Sequence, residues 1–169
     1  MPPNKNNQIE LEMSAIRAEI EQKISEHRHD GDSAQQINYP DIFDLPIQYL
    51  QFEVFGAGVN TATGDGKYFI HIPIGLSGLS LVEVHALVAV AGVTGTLDVQ
   101  IANVTDSVDM LSTKLTIDTT EVGSDTAATP AVINASNSEI QENDILRVDV
   151  DAIHSGTAAK GLYITLGFK

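Results

Sequence analysis

The chain has no cysteine and no tryptophan, and aromatic residues make up only 5% of it. Without cysteine there is no disulfide framework, which fits synthesis in a reducing cytoplasm. Bases are scarce too: 9 Lys and Arg stand against 23 Asp and Glu, a formal net charge of −14. With no basic stripe to meet phosphate, the composition argues against binding nucleic acid or an anionic bilayer. Long apolar runs are missing as well. Ala86 to Val93 is far too short to cross a membrane, and Met1-Pro-Pro-Asn-Lys-Asn-Asn lacks the apolar centre of a secretory signal. No membrane insertion is expected. Few aromatics also weaken a sugar-binding reading, because saccharide sites generally use an aromatic platform.

What is present falls into three stretches. Residues 1–31 read as an attachment segment, a helix and a junction. Residues 32–48 read as a linker packed on the head, and residues 49–169 as that head, a single β-rich domain. In the first stretch Ile9, Met13, Ile16, Ile20 and Ile24, followed by His27, are spaced 4, 3, 4, 4 and 3 apart, a heptad seam with a stutter. Isoleucine at both kinds of seam position favours three strands over two, and Glu12 and Arg17 sit where parallel neighbours would pair. A helix of about 27 Å is too short to stand alone, so the seam predicts a homotrimer.

The helix runs into Glu26-His27-Arg28-His29-Asp30-Gly31. Histidines two apart share a face only in extended backbone, and Asp30-Gly31 is a turn signal. Three copies would bring six imidazole nitrogens to one axis, enough for an octahedral transition-metal ion. Alternatively, His27 serves the helix C-terminus, His29 is a turn residue, and the junction is empty of metal.

From Asp32 to Pro46 polar residues are mixed with the apolar Ile37, Tyr39, Ile42, Phe43 and Leu45 and two prolines. Beyond, period-2 alternation predicts eight strands. They are marked by Leu50-Phe52-Val54, Tyr68-Ile70-Ile72, Val82 to Val90, Leu97-Val99-Ile101, Leu111-Leu115-Ile117, Ala131 to Ile133, Leu146-Val148-Val150, and Leu162 to Phe168. Eight short strands suit a β-sandwich, most simply a jelly roll of two four-stranded sheets. The third strand carries Leu81, His85, Leu87 and Ala89 on its other side, which predicts burial of both faces, one against another subunit.

Chemistry is thinly signalled. Asp149 and Asp151 share a strand face with Arg147, so a glycosidase-like carboxylate pair is conceivable, but an internally paired, solvated face is the simpler reading. His71, His85 and His154 are scattered, and no nucleophile motif occurs. Asn103-Val104-Thr105 and Asn134-Ala135-Ser136 fit the glycosylation pattern, which is frequent by chance. The loops from Gly56 to Gly66, Thr119 to Thr129 and His154 to Ala159 are the expected contact surfaces, with Asp65, Asp125 and His154 as candidate contact residues. No catalytic residue and no resident cofactor is expected.

A coiled-coil-like helix, then His-x-His-Asp-Gly, then a β-rich head with Asn103-Val104-Thr105-Asp106 and Asp109-Met110-Leu111-Ser112-Thr113-Lys114 resembles the short trimeric fibre and receptor-binding proteins of tailed bacteriophages. The resemblance covers the junction closely and the head in general style. It implies a non-enzymatic virion protein assembled in the bacterial cytoplasm, bound to other virion proteins through its N-terminus. Its head would contact a host cell-surface glycan or protein. In several such fibres His-x-His pairs from three chains hold an ion on the axis, and in others the element is a simple junction. This sequence has one His-x-His only. A capsid head fibre or decoration protein is the alternative, and a polysaccharide-degrading enzyme a distant one.

Overall fold

The structure, a computed structural model, describes residues 46–169 and, before them, Ala18 alone. The seam Ile9, Met13, Ile16, Ile20 and Ile24, the pair His27 and His29, and the linker as far as residue 45 lie outside the described residues. The strands, the core and the polar faces all belong to the unit Leu45–Lys169. Among the described residues no helix is long and apolar enough to cross a membrane.

This unit is mainly β, with ten strands that pair only antiparallel. They are β1 (Gln48–Asn60), β2 (Gly64–His71), β3 (Leu81–Leu87), β4 (Leu97–Asn103), β5 (Val108–Asp109), β6 (Leu111–Thr113), β7 (Leu115–Ile117), β8 (Val132–Ile133), β9 (Ile145–Ala152) and β10 (Lys160–Phe168). One sheet has the order β1-β10-β3; the other runs β2-β9-β4-β5, with β7 also on β4; β6 and β8 form a separate ribbon. The sheets share one core. Leu162, Ile164, Leu166 and Phe168 of β10 and Leu146, Val148 and Val150 of β9 are buried in it, with Leu97, Val99 and Ile101 of β4. Phe52 of β1 stacks on Tyr68 of β2, ring centroids 4.6 Å apart, joining the two sheets. Alternating apolar side chains thus dictate which side of each strand is dry.

The sheets hold three and five strands rather than four and four, and the expected strand from Leu111 to Ile117 is two. Gln100 explains the break. Its side-chain amide donates to the Leu111 carbonyl (3.1 Å), while its Oε1 accepts the Leu111 N–H (3.2 Å). A side chain takes over from strand backbone there, so the chain leaves β4 at Leu111 to pair with β8. It rejoins β4 as β7, where Val99 faces Leu115.

On β3 and just past it the expected phase holds at Ala86 and Val88, which are buried, and fails at Val82 and Val90, which are 41% and 50% exposed. Gly167 pairs with Glu83 and Phe168 with Leu81, so Val82 is an extra residue without a partner. This β-bulge turns Leu81 into the core beside Phe168. Leu81 therefore does not belong to an outer apolar face, as its sequence position suggested. Loops cover the far edge of β3: Leu87 bridges Gly123, Val88 N–H donates to Val122 O, and Ala86 N–H donates to Ser124 Oγ. Much of the loop from Thr119 to Thr129 is thus an edge cover rather than a free surface.

Candidate functional site

The outer face of β1-β10-β3 gathers polar side chains in three rows, set by strand register. Tyr49, Gly167 and Glu83 form one row; Gln51, Thr165 and His85 the next; Glu53, Tyr163 and Leu87 the third. The first row is built on the glycine. A Cβ on Gly167 would lie 3.0 Å from Tyr49 Cε1 and 3.1 Å from Glu83 Cβ, so only a bare Cα lets the ring cross the middle strand. The phenol then reaches β3 and donates to Glu83 Oε2 at 2.8 Å. In the third row Tyr163 has Glu53 as its direct neighbour on β1 and hydrogen-bonds to its carboxylate. Both phenols are held above their ordinary range, first by the carboxylate hydrogen bond, then by partial burial and the nearby charge.

The middle row reaches the first through His85. Gln51 Nε2 donates to Thr165 Oγ1 (3.2 Å). His85 Nδ1 lies 2.7 Å from Asp125 Oδ1, and its Nε2 lies 3.8 Å from Glu83 Oε2. Because an ionised carboxylate only accepts, the Nδ1–H donates to Asp125. Asp125 comes from the loop covering β3, and its side chain is 74% exposed. The expected contact residue Asp125 is therefore on this face, together with His85. Sequence reading missed Tyr49, Gln51, Glu53, Glu83 and Tyr163, which look like ordinary outward strand positions until register unites them.

The other expected residues lie elsewhere. Asp65 stands on the outer side of the second sheet, 71% exposed, 3.8 Å from Arg147 Nη2. His154, expected on a contact loop, is instead interior: it is 2% exposed and closed over by Gly92, where a Cβ would fall 2.3 Å from the imidazole. Backbone bonds from Val93 N–H to Thr157 O and from Ser155 N–H to Thr94 O draw the two loops together over it. His71 is exposed on β2, in the other sheet from His85.

The carboxylates of β9 are engaged within the fold. Arg147 donates to Asp149 Oδ2 from Nε (3.1 Å) and Nη2 (2.7 Å), and Gly66 N–H donates to Asp149 Oδ1 (2.7 Å). Asp149 stays on the outer side of β9 with Arg147 and Asp151, but it is buried there rather than solvated. Asp151 pairs with Lys114 Nζ at 2.9 Å, and that hydrogen bond raises the lysine's pKa. A shallow cleft of about 460 Å³ lies at the end of β4, lined by Asn103, Ser107, Asp109 and Arg147 among others. Among the described residues no group of three or more His, Asp or Glu side chains is placed to hold a metal ion.

Fold and face together define a mainly β domain of antiparallel sheets, with one sheet face whose polar groups are fixed by one another. No family model matches the chain, nor does any curated protein or solved structure.

Proposed function

We propose that the chain is a structural virion protein of a tailed bacteriophage, a homotrimeric tail fibre or receptor-binding protein whose β head contacts the host surface. The observation that carries this reading is the strand order. β1-β10-β3 in one sheet and β2-β9-β4 in the other, with β5 and β7 both on β4, suit a jelly roll in which the bridge of Leu87 to Gly123 takes the place of an eighth strand. Jelly rolls recur in viral capsid and lectin domains. The engaged carboxylates of β9 favour binding over turnover, since neither is left as a free acid or base. The trimer rests on the Ile9 to Ile24 seam, and the exposed Val90 and Val122 beyond the β3 edge offer apolar surface for neighbouring copies.

In this reading residues 1–31 assemble the trimer and attach it to other virion proteins. Assembly takes place in the host cytoplasm, and His27 and His29 meet at the axis, either around a transition-metal ion or without one. Elemental analysis of protein purified without a metal column separates these: about one ion per three chains, or none. Gold-labelled antibody against the chain, applied to intact particles, tests the main proposal. Label at the tail tip supports it, label over the capsid favours a head fibre or decoration protein, and unlabelled particles overturn both.

A further inference from the structure

We infer that the outer face of β1-β10-β3, from Tyr49 to Tyr163, binds a neutral oligosaccharide; this rests on the attachment reading and gives it a ligand class and a place. The scarcity of aromatics argued against a sugar site, yet register brings two tyrosines to one face. Tyr49 is 55% exposed, lies along the sheet over Gly167, and is tethered at its hydroxyl by Glu83. A ring already fixed loses little freedom when the C–H face of a hexopyranose stacks on it. Tyr163 and Leu87 offer a second apolar contact two rows away. Four steps along the strand, from Tyr49 to Glu53, separate these rows, a span of about 14 Å that suits several sugars in line rather than one.

Between the aromatic ends stand the hydrogen-bonding groups a row of hydroxyls needs. Glu83 uses Oε2 for Tyr49 and Asp125 uses Oδ1 for His85, which leaves Glu83 Oε1 and Asp125 Oδ2 to accept from ligand hydroxyls. Gln51 uses its amide nitrogen on Thr165 and keeps its carbonyl oxygen. Charge selects among saccharides. The three rows carry Glu53 and Glu83 with Asp125 beside them and no lysine or arginine, on a chain of net charge −14. Sialylated, sulfated and phosphorylated glycans are repelled, and neutral ones are not.

The test uses the full chain on immobilised maltotriose, cellotriose, chitotriose and mannotriose, beside sialyllactose and a sulfated trisaccharide. The expected result is retention by at least one neutral probe and by neither acidic one. Tyr49→Ala should weaken binding by about tenfold or more. Thr165→Arg, which puts a bulky side chain in the middle row without touching the core, should abolish it. Phe69→Ala, an exposed ring on the opposite sheet, should bind as the parent does. The inference is overturned if no neutral probe is retained, if only acidic probes are, or if Tyr49→Ala and Thr165→Arg bind normally. A Thr165→Arg chain that sediments as a smaller species would also overturn it, by making the face a contact between copies. A blank array leaves the gold label on particles to stand, whereas binding through Tyr49 by a chain absent from particles would sink the virion reading and keep the site.

Discussion

Asn103 is buried, and its amide nitrogen donates to Asp106 Oδ2 and Asp144 Oδ2, both at 2.9 Å. Its carbonyl oxygen accepts the N–H groups of Thr105 (3.1 Å) and Asp106 (3.3 Å). Asn103→Ala would strip partners from two carboxylates and two N–H groups at once, so a loss of about 2–4 kcal/mol in urea denaturation is expected. Asn103 and Asp106 stand close in the sequence. Asp144, 41 residues away, was invisible there, because nothing local indicates which distant strand end will return. The same limit hid the tyrosine–glutamate pairs, whose chemistry gives a prediction of its own. Tyr49 and Tyr163 have pKa values raised in the fold, so the folded state holds these protons more tightly than the unfolded chain does. That contribution is complete below the ordinary phenol value of about 10, and it fades as pH climbs through the raised values. Tyrosinate absorbance should show a late-ionising class that shrinks in Tyr49→Phe and in Tyr163→Phe. An unchanged titration curve in both variants would contradict the hydrogen bonds.

Period-2 alternation located nearly every strand, because a half-buried strand must place alternate side chains in the core. It failed where two neighbours are both apolar. Leu81 and Val82 give no cue to phase; the choice is made by Phe168, which pairs with Leu81 and is itself fully buried. Val82→Asp should shift the melting temperature by only a few degrees, as surface changes do. Leu81→Asp should prevent folding, since it puts an unpaired carboxylate in the core. The reverse order of damage, read by circular dichroism, would refute the bulge. The division of β6 from β7 was equally illegible, because it depends on the Gln100 side chain substituting for backbone across strands.

For the whole molecule the sequence made the mainly β class legible, and the trimer proposal rests on the Ile9 to Ile24 spacing alone. Under the trimer proposal, replacing Ile16 and Ile20 together by Asn should turn trimer into monomer in sedimentation while the melting of the β unit stays within a few degrees, since a polar layer weakens a coiled-coil seam. Monomer for the parent chain at micromolar concentration would sink the trimer. The binding face was not legible, because it needs three strands drawn from opposite ends of the unit. That arrangement also bears on how the protein is made. β10 is the middle strand of β1-β10-β3, and 100 residues separate Asn60 from its partner Lys160. On a ribosome adding about 5–20 residues per second, β1 and β3 wait on the order of 5–20 s for the strand that joins them. During that interval Leu50, Phe52 and Val54 have no sheet to enter, and neighbouring nascent chains on one message offer them the wrong partner. Slow codons between Leu87 and Lys160 would lengthen this exposure, and a chaperone that shields nascent β-strands would be most useful there.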